Sequence, residues 1–134
     1  MFLTKECDYA IRVVRELSDL EVKSVKTICA NENVPTPFAY KVLKKLEKVG
    51  IVCSYRGAKG GYKLARTPES ISLHDVVHAI DENLFLSACL QYGHKCSRNV
   101  NGHSCKVHQE LAKMQTVIIG ALMDKKISEI SDDM

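Results

Sequence analysis

The sequence predicts a mainly α chain with one small β-hairpin, an α+β class, on three observations. Apolar residues recur at helical spacing in four segments before residue 81 and in one long segment after residue 105. Between them, around residues 51–65, the pattern becomes β-rich and is interrupted by three glycines, Gly57, Gly60 and Gly61. The stretch CLQYGHKCSRNVNGHSCKVH, Cys89 to His108, holds three cysteines and three histidines and too few apolar residues to build a core.

Ala10, Val13, Val14, Leu17 and Leu20 predict a first amphipathic helix over residues 6–20. Ser24 is a good N-cap for a second, shorter helix through Val25, Ile28, Cys29 and Ala30, which Asn31, Asn33 and Pro35 break. Thr36 is expected to cap a third helix with Pro37 at its first position, where a missing N–H is harmless. That helix carries Phe38, Val42, Leu43, Leu46 and Val49 on one face, shows Tyr40, Lys41, Lys44, Lys45 and Lys48 on the other, and stops at Gly50. Residues 51–55 and 62–65 read as strands of a hairpin, and Pro68 ends the return strand. Ser72 caps a fourth helix with Leu73, Val76, Val77 and Ile80 inward. After the cysteine-rich loop, Val107, Leu111, Met114, Ile118 and Ala121 step by four, three, four and three along a long helix over residues 106–130. Such a stripe beyond a complete small domain seeks a partner, so Leu111, Met114, Ile118 and Ala121 are expected at a dimer interface.

Helix, helix, turn, helix and hairpin is the order of a winged helix-turn-helix. The expected organisation is a winged helix-turn-helix domain over residues 1–83, a cysteine-rich loop over 84–105, and a dimerisation helix and tail over 106–134.

The 134 residues are 46% hydrophobic and 26% charged, ordinary for one globular domain. The start, MFLTKECDYAIRV, lacks the long apolar region of a secretion signal, and the longest apolar tract, VIIGALM, is far too short to span a bilayer. The expected location is cytoplasmic, with no membrane partner. In that reducing compartment six cysteines argue for metal or redox chemistry over structural disulfides. Residues 1–67 hold 13 Lys/Arg against 7 Asp/Glu, a net +6, whereas residues 68–134 hold 6 against 9, a net −3. The basic charge belongs to the N-terminal half and hints at a polyanionic partner there.

A recognition helix meets base edges with its N-terminal half and phosphates further along. Thr36, Tyr40 and Lys41 are placed for bases, and Lys44, with Lys45 and Lys48, for phosphate or solvent. At the hairpin tip Arg56 and Lys59 sit among glycines, where the backbone approaches DNA closely and an arginine enters a narrow minor groove. Double-stranded DNA is thus the expected partner. The bland alternative is a solvated lysine face and an ordinary hairpin. The chain shows no acid/base constellation of an enzyme, so a small metal-dependent redox enzyme ranks below a regulator.

The stretch VPTPFAYKVLKKLEKVGIVCSYRGAKGGYKLAR, with ISLHDVVHAID after it and LTKECDYAIRV before it, closely resembles the winged-helix repressor family containing the IscR and NsrR iron–sulfur regulators, often called Rrf-two. Its most specific element is RGxxGGYxLA, here Arg56 to Ala65. The resemblance implies a homodimer joined through the C-terminal helices on a near-palindromic operator. It also implies a cluster held by three loop cysteines, and Cys89, Cys96 and Cys105 fall there. IscR-like members follow the third cysteine with a histidine ligand in a CxxH arrangement, matched by Cys105-Lys106-Val107-His108.

Thiolates are the preferred ligands of iron–sulfur clusters, and an imidazole ligand raises the potential. What the resemblance implies is an iron–sulfur cluster on Cys89, Cys96, Cys105 and His108, two-iron (2Fe-2S) favoured and four-iron (4Fe-4S) possible. Zinc on the same residues is the alternative, and a metal-free thiol switch is third. Asp8 and Cys7 are rival fourth ligands, and His94 and His103 are reserves. Cys29 and Cys53 read as small core residues. His74 and His78 stand four apart on the fourth helix, a spacing that can hold a metal but more often marks surface histidines.

Overall fold

The computed structural model describes residues 3–98 and 105–131. Helix α1 spans Lys5–Glu16, α2 Val25–Glu32 and α3 Thr36–Lys48; strands β1 (Val52–Tyr55) and β2 (Gly61–Leu64) follow, then α4 (Leu73–Ile80) and α5 (Lys106–Asp124). Helix α1 lies at the centre and packs against α2, α3 and α4.

Each start has a local cause. The Thr4 hydroxyl accepts from the Cys7 N–H, and the Ser24 hydroxyl from the Thr27 N–H at 3.1 Å. Ser72 and Asp75 form a reciprocal capping box at 3.0 and 2.9 Å. Helix α3 starts one residue earlier than expected: Pro35 is its N-cap, Thr36 the first helical residue and Pro37 the second. The first helical N–H groups have no intrahelical acceptor, so proline is as well tolerated at the second position as at the first. At its other end Gly50 takes φ +79, with Gly50 N–H on Glu47 O and Ile51 N–H on Leu46 O, both 3.0 Å. Those two bonds satisfy carbonyls the helix leaves open, and the left-handed residue suits glycine.

One core runs through the described chain. Leu17, Ile28, Leu43, Leu46, Ile51, Leu64 and Ile71 are its largest buried side chains, joined by Leu122 and Ile127 from the C-terminal end. The first helix is shorter than expected: after Glu16 a 3-10 turn, Leu17–Asp19, leads to Leu20, exposed in the left-handed region at φ 65. The fifth also ends early, at Asp124 rather than near residue 130. Lys125 and Lys126 are extended, so Leu73 N–H reaches Lys125 O and Ile127 N–H reaches Ile71 O, each at 2.9 Å. This antiparallel bridge carries Ile127 into the core with no exposed surface. Burying an isoleucine contributes about 2 kcal/mol, more than the further helical turn it replaces.

A part-buried ion pair ties α1 to α2. Glu32 has 5% of its side chain exposed and accepts from Arg15 through both carboxylate oxygens, Arg15 Nε lying 3.0 Å from Oε1. No helix among the described residues is long and apolar enough to cross a membrane.

Candidate functional site

Helix α3 buries Ala39, Val42, Leu43 and Leu46 and turns Thr36, Tyr40, Lys41, Lys44, Glu47 and Lys48 outward. Two expected inward residues are only marginal. Phe38 is 37% exposed and lies edge-on to the Tyr9 ring at 5.0 Å, and Val49, past the last helical turn, is 53% exposed. The lysines are not equivalent. Lys45 Nζ lies 2.9 Å from the Glu6 carboxylate and donates to Ile80 O at 3.2 Å, so it joins α1, α3 and α4 rather than facing outward. Lys41 Nζ stands 3.7 Å from Glu6 and remains largely exposed. Among the described residues no ion pair or hydrogen bond engages Lys44 or Lys48.

The hairpin is fixed to this helix by a contact that periodicity could not reveal. Ser54 Oγ donates to Glu47 Oε1 at 3.1 Å, linking β1 to the exposed face of α3. Burial first, then the nearby Glu47 and Tyr40, push the Tyr62 phenol above its ordinary pKa. The register runs Val52–Leu64, Cys53–Lys63, Ser54–Tyr62 and Tyr55–Gly61. Lys23, just before α2, adds an isolated antiparallel rung on the other edge of β2, exchanging bonds of 2.9 and 2.8 Å with Tyr62. The paired glycines make this possible. A Cβ on Gly60 would lie 2.4 Å from Tyr55 O, and one on Gly61 would lie 2.1 Å from Lys23 O. Beyond them Arg56 and Lys59 project from the tip, both exposed. Cys53 is half-buried on β1, its single S–H within reach of either Lys63 O at 3.8 Å or Tyr55 Oη at 3.7 Å.

Segment 81–98 is pinned to the fifth helix, with Leu84 in the core and Leu86 N–H donating to Gln115 Oε1 at 2.8 Å. Cys89 follows in a 3-10 turn, Ala88–Leu90, packed on α5, its sulfur 3.5 Å from Ser87 Oγ. Cys96 is half-buried in coil. Cys105 is the N-cap of α5, and His108 lies one turn along on the same end. The backbone N–H of His108, helped by that of Val107 and by Arg98, holds the Cys105 thiol below its ordinary pKa. Thiolate is the metal-binding form, so the donor set of three half-buried thiols and an imidazole suits a thiophilic centre. Among the described residues no three His, Cys, Asp or Glu side chains are already gathered. His103 and the remainder of 99–104 lie outside the described residues.

The rival ligands differ in accessibility, Cys7 being enclosed and Asp8 exposed. Cys7 is fully buried and takes the Thr4 hydroxyl at 3.3 Å, while Asp8 is paired with Arg12 at 3.0 Å. Cys29 is half-buried rather than core, and His94 is exposed.

On α5 the apolar stripe is rotated from the one expected. Ile118, with Ile119 and Leu122, packs against the protomer's own core, and Leu111 is half-buried. Val107, Met114 and Val117 are exposed by 66%, 53% and 71%, with Ala121 beside them. The helix is apolar on two sides, so spacing alone could not tell which side the core would claim.

The family model described as "Iron-dependent Transcriptional regulator", Rrf2, matches residues 3–133. Slr0846 of Synechocystis sp., assigned to the HTH-type transcriptional regulators, is 39% identical over 87 residues, which cover 63% of this chain and 59% of that protein. The chain thus spans about three-fifths of that relative's length. The HTH-type transcriptional regulator NsrR of Geobacillus kaustophilus is 34% identical over 100 residues, 72% of this chain and 68% of its own. The solved structure of T. potens IscR superposes with a TM-score of 0.73 at 21% identity, covering 97% of this chain and 85% of that one. These relatives are transcriptional regulators and not enzymes, and the helical body with its two-stranded wing has the fold of that structure. On the match across residues 3–133, the chain belongs to the Rrf2 family.

Proposed function

We propose that the protein is a homodimeric DNA-binding transcription regulator whose operator affinity is set by an iron–sulfur cluster. The observation that carries the reading is the joined surface of α3 and the wing. The exposed Thr36, Tyr40, Lys41 and Lys44 share a face with Glu47, which hydrogen-bonds Ser54 of the wing that carries Arg56 and Lys59. Thr36, Tyr40 and Lys41 read base edges, Lys44 neutralises phosphate, Arg56 enters the minor groove and Lys59 supports it. Two copies joined through Val107, Met114, Val117 and Ala121 bind half-sites about 34 Å apart on a near-palindromic operator.

Cys89, Cys96, Cys105 and His108 would hold the cluster, which supplies a redox- and ligand-sensitive centre between the DNA-binding body and the dimer helix. The chain's own part is mechanical. Cys89 rides on a segment pinned to Gln115, and Cys105 caps the helix that forms the dimer, so drawing them together biases how the two recognition helices are spaced.

The test is visible absorption with iron and sulfide analysis on protein purified without oxygen. An iron–sulfur spectrum that Cys89→Ala, Cys96→Ala or Cys105→Ala abolishes is the expected result. His108→Ala should keep a cluster of shortened lifetime in air. Zinc at one equivalent, lost in the same cysteine variants, would replace the cluster by a structural metal.

A further inference from the structure

We propose that His74 and His78 form a second, independent site for a late divalent transition metal of the zinc–nickel class, on the outer face of α4. Residues four apart on a helix stand one above the other on one face, the spacing by which helical histidine pairs chelate metals. The two imidazoles are already stacked in that way: their ring centroids are 5.6 Å apart, with the planes tilted by 32°. At a metal–nitrogen distance of about 2.05 Å each centroid would lie roughly 3.2 Å from the ion. Two such rings at tetrahedral to trigonal angles are separated by about 5.2–5.6 Å. The observed centroid spacing lies at the upper end of what one shared ion requires.

The pair also has a place to hold it. His74, His78 and Asp75 line a cleft of about 260 Å³ between α4 and the end of α3, with Val49, Ile51 and Ala79 as its apolar wall. The one cation in the cleft is restrained: Arg66 hydrogen-bonds Ser70 O and stands 3.8 Å from the Asp75 carboxylate, whose charge offsets it. Asp75 is committed to the Ser72 capping box through Oδ2. The protein thus supplies two ligands, and water completes the shell. A two-imidazole site opening to solvent suits zinc, nickel or copper(II) and is poor for magnesium or calcium, which prefer oxygen.

This site is separate from the cysteine segment and has a consequence for it. Zinc found in purified protein need not report on Cys89, Cys96 and Cys105, because α4 offers a second home.

The deciding experiment is calorimetric titration of nickel(II) into protein lacking any polyhistidine tag. The background is Cys89→Ser/Cys96→Ser/Cys105→Ser, which removes the loop donors, and circular dichroism checks that each variant is folded. One equivalent should bind, His74→Gln or His78→Gln should each remove it, and His94→Gln should leave it intact. In nitrogen-correlated spectra of the imidazoles, His74 and His78 should broaden together on adding nickel and the other histidines should not. No binding in the triple-cysteine variant, or binding that survives both His74→Gln and His78→Gln, overturns the site. Neither result bears on the cluster, which is read in the wild-type chain by its own absorption.

Discussion

Replacing Gly61 with alanine puts a methyl carbon 2.1 Å from the Lys23 carbonyl oxygen, a distance no packing tolerates. The rung between Lys23 and Tyr62 must open, and with it two hydrogen bonds of 2.8 and 2.9 Å. Each contributes about 1 kcal/mol net. The backbone at φ +150 adds strain for any residue with a side chain, on the order of 1–3 kcal/mol. The total, about 3–5 kcal/mol, is a large share of the ~5–15 kcal/mol that holds a domain folded. Gly57→Ala is the control, since that residue has φ +107 but nothing within 4 Å of the added Cβ. It shares the strain and spares the bonds. The difference between the two variants therefore isolates the rung at about 2 kcal/mol, or roughly a 1 M separation of urea midpoints for a slope near 2 kcal/mol/M. Gly61→Ala should also weaken DNA binding more than Gly57→Ala, because the wing has lost its tie to the residue before α2. Equal midpoints for the two variants would refute the claim that the rung anchors the wing.

Lys44→Ala should leave thermal stability unchanged and flatten the salt dependence of DNA binding by about 0.9 per lost phosphate contact. Lys45→Ala should do the opposite, destabilising by ~1–2 kcal/mol through the lost Glu6 and Ile80 contacts, and a changed salt slope without destabilisation would contradict its placement. Met114→Asp or Val117→Asp should give a folded monomer in sedimentation, whereas Ile118→Asp should lower the melting temperature of the protomer as well. A normal melting temperature for Ile118→Asp would return that residue to the outer face. Finally, burial raises the Asp19 pKa, but its bonds to Lys23 and to the Glu21 N–H outweigh this and leave it below 3.8. A depressed carboxylate adds stability above its unfolded pKa and loses it as pH falls through the folded value. Lys23→Ala should therefore reduce the loss of stability below about pH 4, and an unchanged acid limb would show the pair to be inert.

The order of elements was legible in the amino-acid sequence because each element announces itself locally. Ser24 and Ser72 cap, Gly50 terminates, apolar residues recur at 3.6, and Gly60-Gly61 marks a hairpin whose backbones meet closely. The placement of Cys105 and His108 on one helical turn was legible for the same reason, being local. What the sequence could not hold were contacts between residues far apart in the chain. Lys44 and Lys45 look alike as letters, and only the approach of Glu6 and Ile80 ties Lys45 down while it stays partly exposed. Periodicity offered α5 an apolar stripe through Ile118; the core formed with α4 claimed that side and left Val117 outside. The helix expected to run on to residue 130 stops at Asp124, because an extended Lys125 and Lys126 let Ile127 be buried beside Ile71. Caps and periods are decided within one turn of chain, whereas which face is buried, and which lysine is held, depends on surfaces that meet only after folding.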